Sequence, residues 1–190
     1  MSALKRWAMR VLAQLEVVIA GLLARRISGG SGGLTVLDID NTLSDAWPTW
    51  MAEWPSHAER LASMRVLPGM KAAAYDTAVE RGDEIVFLSH RMLWEWRSTQ
   101  RWLVANGFAA TPGNVVLVPS AADKLAVLGR LATGGRTITY WDDLSHGTER
   151  GRTEMYDRII AEVRTLAVEY HGLAEIEAVV AAAGGREPVK

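Results

Sequence analysis

The 190-residue chain contains no cysteine. That removes disulfides, thiolate metal ligands and thiol nucleophiles together, and it accords with a reducing compartment, so a cytoplasmic location is expected. Net charge is almost absent as well: 21 Lys and Arg stand against 22 Asp and Glu, a formal −1. No overall field therefore draws nucleic acid or an acidic membrane to the molecule, although local patches can. A bilayer-spanning helix needs about 20 apolar residues, and Gln14 and Glu16 interrupt the N-terminal apolar stretch well short of that. A secretory leader is disfavoured by the same Glu16 and by Arg25-Arg26, which stand where small cleavage-site residues belong. The chain has no G-x-x-x-x-G-K-S phosphate loop and no internal repeat. With 49% of residues hydrophobic, global disorder is excluded, and the length suits one domain with a substantial core.

Three segments follow from the patterning. Residues 1–27 read as an amphipathic helix, with Leu4, Ala8, Val11, Leu15, Val18 and Leu22 on one face and Lys5, Arg6, Arg10, Arg25 and Arg26 set against Glu16 alone. Such a basic helix can dock on its own domain, pair with a second copy, or lie on an anionic membrane; the first two are preferred. Residues 28–33, Ser-Gly-Gly-Ser-Gly-Gly, have the composition of a flexible linker. Residues 34–185 alternate apolar runs with helical patterns, as βαβ units of a parallel sheet do. Strands are expected at 34–37, 84–88, 114–118 and 137–141, with an edge strand at 166–170. Helices are expected after Ser56, over 70–81, over 93–105, after the Ser120 N-cap, over 153–164 and over 174–183.

Polar residues close these apolar runs in a particular order. Leu34-Thr35-Val36-Leu37 ends at Asp38, with Asp40 and Thr42 just beyond. Ile85 to Leu88 ends at Ser89, Lys124 lies early in a helix, and Thr137 to Trp141 ends at Asp142-Asp143. Carboxylates at the end of an uncharged strand are costly to desolvate without a partner, and a divalent cation is an effective one. The order D-x-D-x-T, Ser, Lys, D-D resembles the four-motif signature of the haloacid dehalogenase-like (HAD) superfamily of phosphohydrolases. Response-regulator receiver domains combine similar residues on a similar sheet, but there the acidic pair precedes the phosphoacceptor, the reverse of the order here.

The resemblance implies a Rossmann-like α/β fold and a Mg²⁺-dependent phosphatase working through an aspartyl-phosphate. Asp38 would be the nucleophile, Asp40 the general acid and base, and Ser89 and Lys124 the groups that hold the phosphoryl oxygens and neutralise charge. Asp38, Asp40 through its carbonyl, and Asp143 would ligate Mg²⁺, with Asp142 in support; Thr42 would steady the nucleophile loop, and Arg91 would clamp a phosphate or lie at the surface. The task is large. Phosphate monoesters require roughly 20 kcal/mol or more of barrier lowering, and two like unit charges 4 Å apart repel by about 4 kcal/mol at an effective dielectric of 20.

Substrate is less legible. The interval from Leu43 to Leu67 holds only a Trp47, Trp50 and Trp54 segment and a short helix, so the chain looks capless or minimally capped. A phosphorylated small molecule is the expected substrate. The run Ser89-His90-Arg91, followed by Trp94, Trp96, Arg97, Arg101 and Trp102, also resembles the phosphatase half of polynucleotide kinase-phosphatases, which makes a nucleic-acid 3′ end one alternative. The other is a binding or scaffold protein tethered by its N-terminal helix.

Overall fold

The computed structural model describes residues 3–149 and 152–186. From the N-terminus run α1 (Ala3–Ser28), β1 (Leu34–Leu37), β2 (Ser44–Asp45), α2 (Trp47–Trp50), α3 (His57–Ser63), β3 (Arg65–Val66), a π-helical stretch over Lys71–Asp76 continuing as α4 (Thr77–Glu80), and β4 (Glu84–Ser89). There follow α5 (Trp96–Ala105), β5 (Val115–Leu117), α6 (Ala121–Ala132), β6 (Ile138–Trp141), β7 (Ser145–Glu149), β8 (Arg152–Met155), α7 (Asp157–Val163), β9 (Glu169–His171) and α8 (Leu173–Ala182).

The fold is α/β: five parallel strands in the order β5-β4-β1-β6-β9, with helices on both faces. All four residues of β1 are buried, as a central strand covered on both sides requires. Side chains alternate along each strand, so they divide into two cores. Leu37 and Phe87 face Tyr75, Trp102, Leu103, Phe108, Ile176 and Val180. Val36, Val86, Leu88, Val116 and Tyr140 face Ala24, Ile27, Val127, Leu128, Leu131 and Ile159. The expected strands and the helices after Ser56, Ser120 and Leu173 are present, and both serines accept the N–H three residues on as N-caps (3.2 and 3.3 Å).

Two expectations require correction. The helix expected over 153–164 is confined to α7, because Arg152–Met155 instead pairs antiparallel with Ser145–Glu149, Thr148 lying opposite Thr153. Cross-strand pairing decides such a segment, and the partner strand is invisible to helical periodicity. The Gly/Ser segment joins the sheet to a helix that docks on its own domain, one of the two preferred placements, but by an unexpected face. The C-terminal half of α1 belongs to the second core through Ala20, Ala24 and Ile27 and packs on α6.

Small residues permit the close approach. Gly134 passes so near the end of α1 that a Cβ there would sit 2.5 Å from the Ser28 carbonyl oxygen. The glycine turn is gathered by one buried side chain: Arg136 donates to the carbonyls of Ile27 (2.9 Å), Gly32 (3.0 Å) and Gly33 (2.8 Å) and pairs with Glu84 (2.7 Å). A cation at the C-terminus of a helix also complements its dipole. Face selection on α1 is the reverse of what periodicity suggests: Val11, Leu15, Val18 and Leu22 are exposed, and Glu16, Ala20, Ala24 and Ile27 are buried.

Arg136→Ala strands those carbonyls, so it is expected to lower unfolding free energy by about 2–3 kcal/mol. Equilibrium urea denaturation measures this, and a loss below about 0.5 kcal/mol would contradict the structural role given to Arg136.

Candidate active site

The C-terminal ends of β1, β4 and β6 meet where chain order reverses across the sheet, the usual place for a site in an open parallel fold. The ladder continues one step past each strand: Asp38 N–H donates to Trp141 O (2.9 Å) and Asp142 N–H to His171 O (3.1 Å). Two carboxylates therefore leave the sheet side by side. Asn41, at φ 59°, then turns the chain in the left-handed region that asparagine tolerates, and its side chain accepts the Trp47 N–H (3.1 Å).

Lys124, in the second turn of α6, is buried and donates to both Asp38 Oδ1 (2.8 Å) and Asp142 Oδ2 (2.6 Å). Asp142 also accepts from the Tyr140 hydroxyl and, at Oδ1, from the Leu144 N–H (2.8 Å). Leu144 itself sits at φ 46°, a conformation costing of order 1–3 kcal/mol for such a residue, held from its other side by the Tyr156 N–H on its carbonyl (2.9 Å). Asp143 is tied to Thr42, whose hydroxyl accepts the Asp143 N–H (3.0 Å) and donates to Oδ1 (3.3 Å), and to the N–H and hydroxyl of Ser145. Asp40 takes a two-pronged salt bridge from Arg91, Nε to Oδ2 (2.8 Å) and Nη2 to Oδ1 (2.7 Å), while Arg91 Nη1 rests on Thr99 (3.1 Å).

Oxygens of Asp38, Asp142 and Asp143 lie within 4.8 Å of one another, all three residues being buried. Hard oxygen donors of this kind suit a small divalent cation. Charge points the same way: of the four carboxyl groups, Asp38 and Asp142 share one cation, Lys124, Asp40 has Arg91, and Asp143 has no ion pair among the described residues. Burial pushes Asp38 well above the ordinary carboxylate range, only partly offset by Lys124, and Asp142, Asp143 and Asp40 push it further. Burial and the adjoining Asp142 push Asp143 up to about 7. Asp40 moves the other way, because Arg91 outweighs the cost of burial and holds it below the usual range.

The carboxylates open into a cavity of about 370 Å³ lined by Asp38, Asp40, Ser89 and Lys124 at its base and by Trp47, Trp50, His90, His146 and Tyr156. A larger cavity, about 530 Å³, lies across α2 against Pro48, Trp54, Arg65 and Arg186, away from the clustered acids. Chemistry belongs with the acids, so the smaller cavity is the candidate site.

The eight residues given catalytic, phosphate-holding or metal roles from the sequence converge here, but not in one role. Asp38, Asp40, Ser89, Lys124, Asp142 and Asp143 line the cavity, whereas Thr42 and Arg91 lie behind it, buried, holding Asp143 and Asp40. Arg91 is thus neither at the surface nor on the cavity wall. The aromatic and arginine array is split: Trp94 is exposed, Trp96 packs on the first core, and Trp102 is buried with its indole N–H on the Met64 carbonyl (2.8 Å). The sequence reading missed Tyr140, Ser145 and Thr99. Tyr140 had a signal, standing two residues before Asp142 on the same strand face; Ser145 and Thr99 had none.

No protein-family model matches the chain, and no curated protein matches it.

Asp143 generates a pH test. Its folded value near 7 exceeds an unfolded value near 4, so between them the folded state binds the extra proton and metal-free stability falls as pH rises. Burial raises Asp38 as well, which adds a slope of the same sign, and lowers His90, which gives the opposite slope around and below its ordinary value of 6.5, so the comparison must be with Asp143→Asn. In chelator, the melting temperature of the wild type relative to that variant should drop by about 5 °C from pH 5 to pH 7.5. Mg²⁺ or Mn²⁺ should restore it at pH 7.5, much less at pH 5, and not in the variant. A pH-independent difference, or metal stabilisation that survives Asp143→Asn, would remove Asp143 from the metal site.

Proposed function

We propose that the protein is a Mg²⁺-dependent phosphomonoester hydrolase that forms an aspartyl-phosphate on Asp38. The observation that carries this reading is the convergence of Asp38, Asp142 and Asp143 on one point beside Lys124, at the floor of an open cavity. Resemblance of the motif order to the HAD superfamily supports it. So does the placement of Ser89, at the end of β4 on the cavity wall, where a hydroxyl can hold a phosphoryl oxygen.

Asp38, Asp142 and Asp143 would hold the cation, which supplies positive charge against the phosphate when bound. An Asp38 carboxylate oxygen attacks phosphorus, and the bond to the leaving alkoxide breaks. Lys124 neutralises the nucleophile before attack and the transferring group during it, as a fixed point charge. Asp40 serves the leaving oxygen as acid and then accepts a proton from the water that hydrolyses the Asp38 ester. Arg91 holds Asp40 below the usual carboxylate range and so favours its ionised form. That state suits the second step directly; the first requires the pair to loosen so that Asp40 can carry a proton.

Two substitutions separate these roles. Asp38→Asn should lower phosphate release by about 10³-fold or more for every substrate, since no covalent ester forms. Asp40→Asn should slow alkyl phosphates by about 10²–10⁴-fold but release of p-nitrophenolate from its enzyme-forming step far less, because that leaving group needs no proton. Burst kinetics with p-nitrophenyl phosphate would show this as an initial burst followed by slow turnover. Metal-loaded protein with no activity on sugar phosphates, nucleotides, phospholipid headgroups and 3′-phosphorylated oligonucleotides would end the hydrolase reading and favour a scaffold role.

A further inference from the structure

We infer that the outer face of α1 is a docking surface for an anionic lipid bilayer, on which the helix lies in the plane of the interface. The inference is independent of the hydrolase reading. Trp7, Val11, Leu15, Val18 and Leu22 form one continuous exposed stripe at helical spacing, 44% to 63% accessible. The docked residues Ala20, Ala24 and Ile27 occupy the opposite side of the helix, so the stripe is left over after the fold is complete. From Lys5 to Val11 every residue is exposed, Met9 included, although it continues the docked row. The N-terminal part of α1 has therefore left the body of the protein.

Charge selects the occupant. The only acid in α1, Glu16, is turned inward, where it accepts the Leu93 N–H. By helical spacing Arg25 and Arg26 flank the stripe, and Lys5, Arg6 and Arg10 are exposed on the part of α1 that has left the body, so every exposed charged residue of the helix is a cation. A second copy of α1 would bring cations against cations in either orientation. An anionic lipid surface meets both features at once, apolar side chains entering the acyl boundary and arginines reaching phosphates. By length and composition alone Lys5–Ser28 could cross a bilayer; the arginines within it and its docked face separate lying from spanning. The fourteen residues from Val11 to Ala24, between flanking arginines, extend about 21 Å, against about 30 Å of hydrocarbon. Spanning would also pull Ala20, Ala24 and Ile27 from the core and leave Glu16 in lipid.

Vesicle co-sedimentation with the full-length protein tests this, using phosphatidylcholine alone and phosphatidylcholine mixed with phosphatidylglycerol. Binding is expected only to the mixed vesicles, weakening as NaCl is raised. The double substitutions Trp7→Glu with Leu22→Glu, and Arg10→Glu with Arg25→Glu, should each weaken it by about tenfold or more. Because all four side chains are exposed, the thermal melt should be unchanged, which separates lost binding from lost folding. The inference is overturned by no binding to the mixed vesicles, by equal binding to both kinds, or by binding that survives both double substitutions. A dimer in sedimentation velocity that dissolves with Trp7→Glu and Leu22→Glu would assign the stripe to a second copy and overturn it too.

Discussion

Lys124 touches Asp38 and Asp142 with one ammonium group, and the rest of the acid site is arranged around that contact. A buried ammonium is costly to desolvate, and two buried carboxylates are worse; together their mutual attraction offsets much of the penalty. The three charges come from β1, α6 and β6, so the bridge also locks a helix to two strands at the site. It does not pair with Asp143, to which Thr42 and Ser145 supply hydrogen bonds rather than charge, as Tyr140 does to Asp142. Burial and the neighbouring carboxylates accordingly hold Asp38 and Asp143 above the ordinary carboxylate range.

Arg91 and Asp40 form a second, self-contained pair beside the first. Its two parallel contacts fix the carboxylate plane, which a lysine could not do. Thr99 fixes the far side of the guanidinium. Division of labour follows: one cation serves the carboxylates that gather around a point, and the other orients the carboxylate that faces the leaving group in the proposed reaction.

Much of this was legible in the sequence because strand ends are. The continuous runs Leu34 to Leu37, buried throughout, and Ile85 to Leu88, buried from Val86 on, each closed by a polar residue, define both where a parallel strand stops and which residue meets the site. Lys124 was legible through the Ser120 cap, which sets the start of α6 and hence the turn on which the lysine falls. Thr42 and Arg91 were identified, but their direction was not, since nothing local distinguishes an arginine that meets a ligand from one that meets a neighbouring aspartate. The β7–β8 hairpin was misread for a related reason: Thr153 to Met155 is committed to strand by its partner across the turn, not by its own periodicity. On α1 the larger, more regular apolar face attracted the assignment. Packing chose the narrower one, where Ala20 and Ala24 let the helix come close to α6.

Glu16 gives that choice a consequence for the site. Its carboxylate holds the backbone N–H of Leu93, and Glu95 holds that of Met92, so the segment leaving β4 after Arg91 is pinned twice within two residues. One pin belongs to the sheet's own periphery and the other to the first helix of the chain. One residue, Met92, stands between that hydrogen bond and Arg91, whose guanidinium holds Asp40. The first helix is thereby moored two residues from the arginine that orients Asp40.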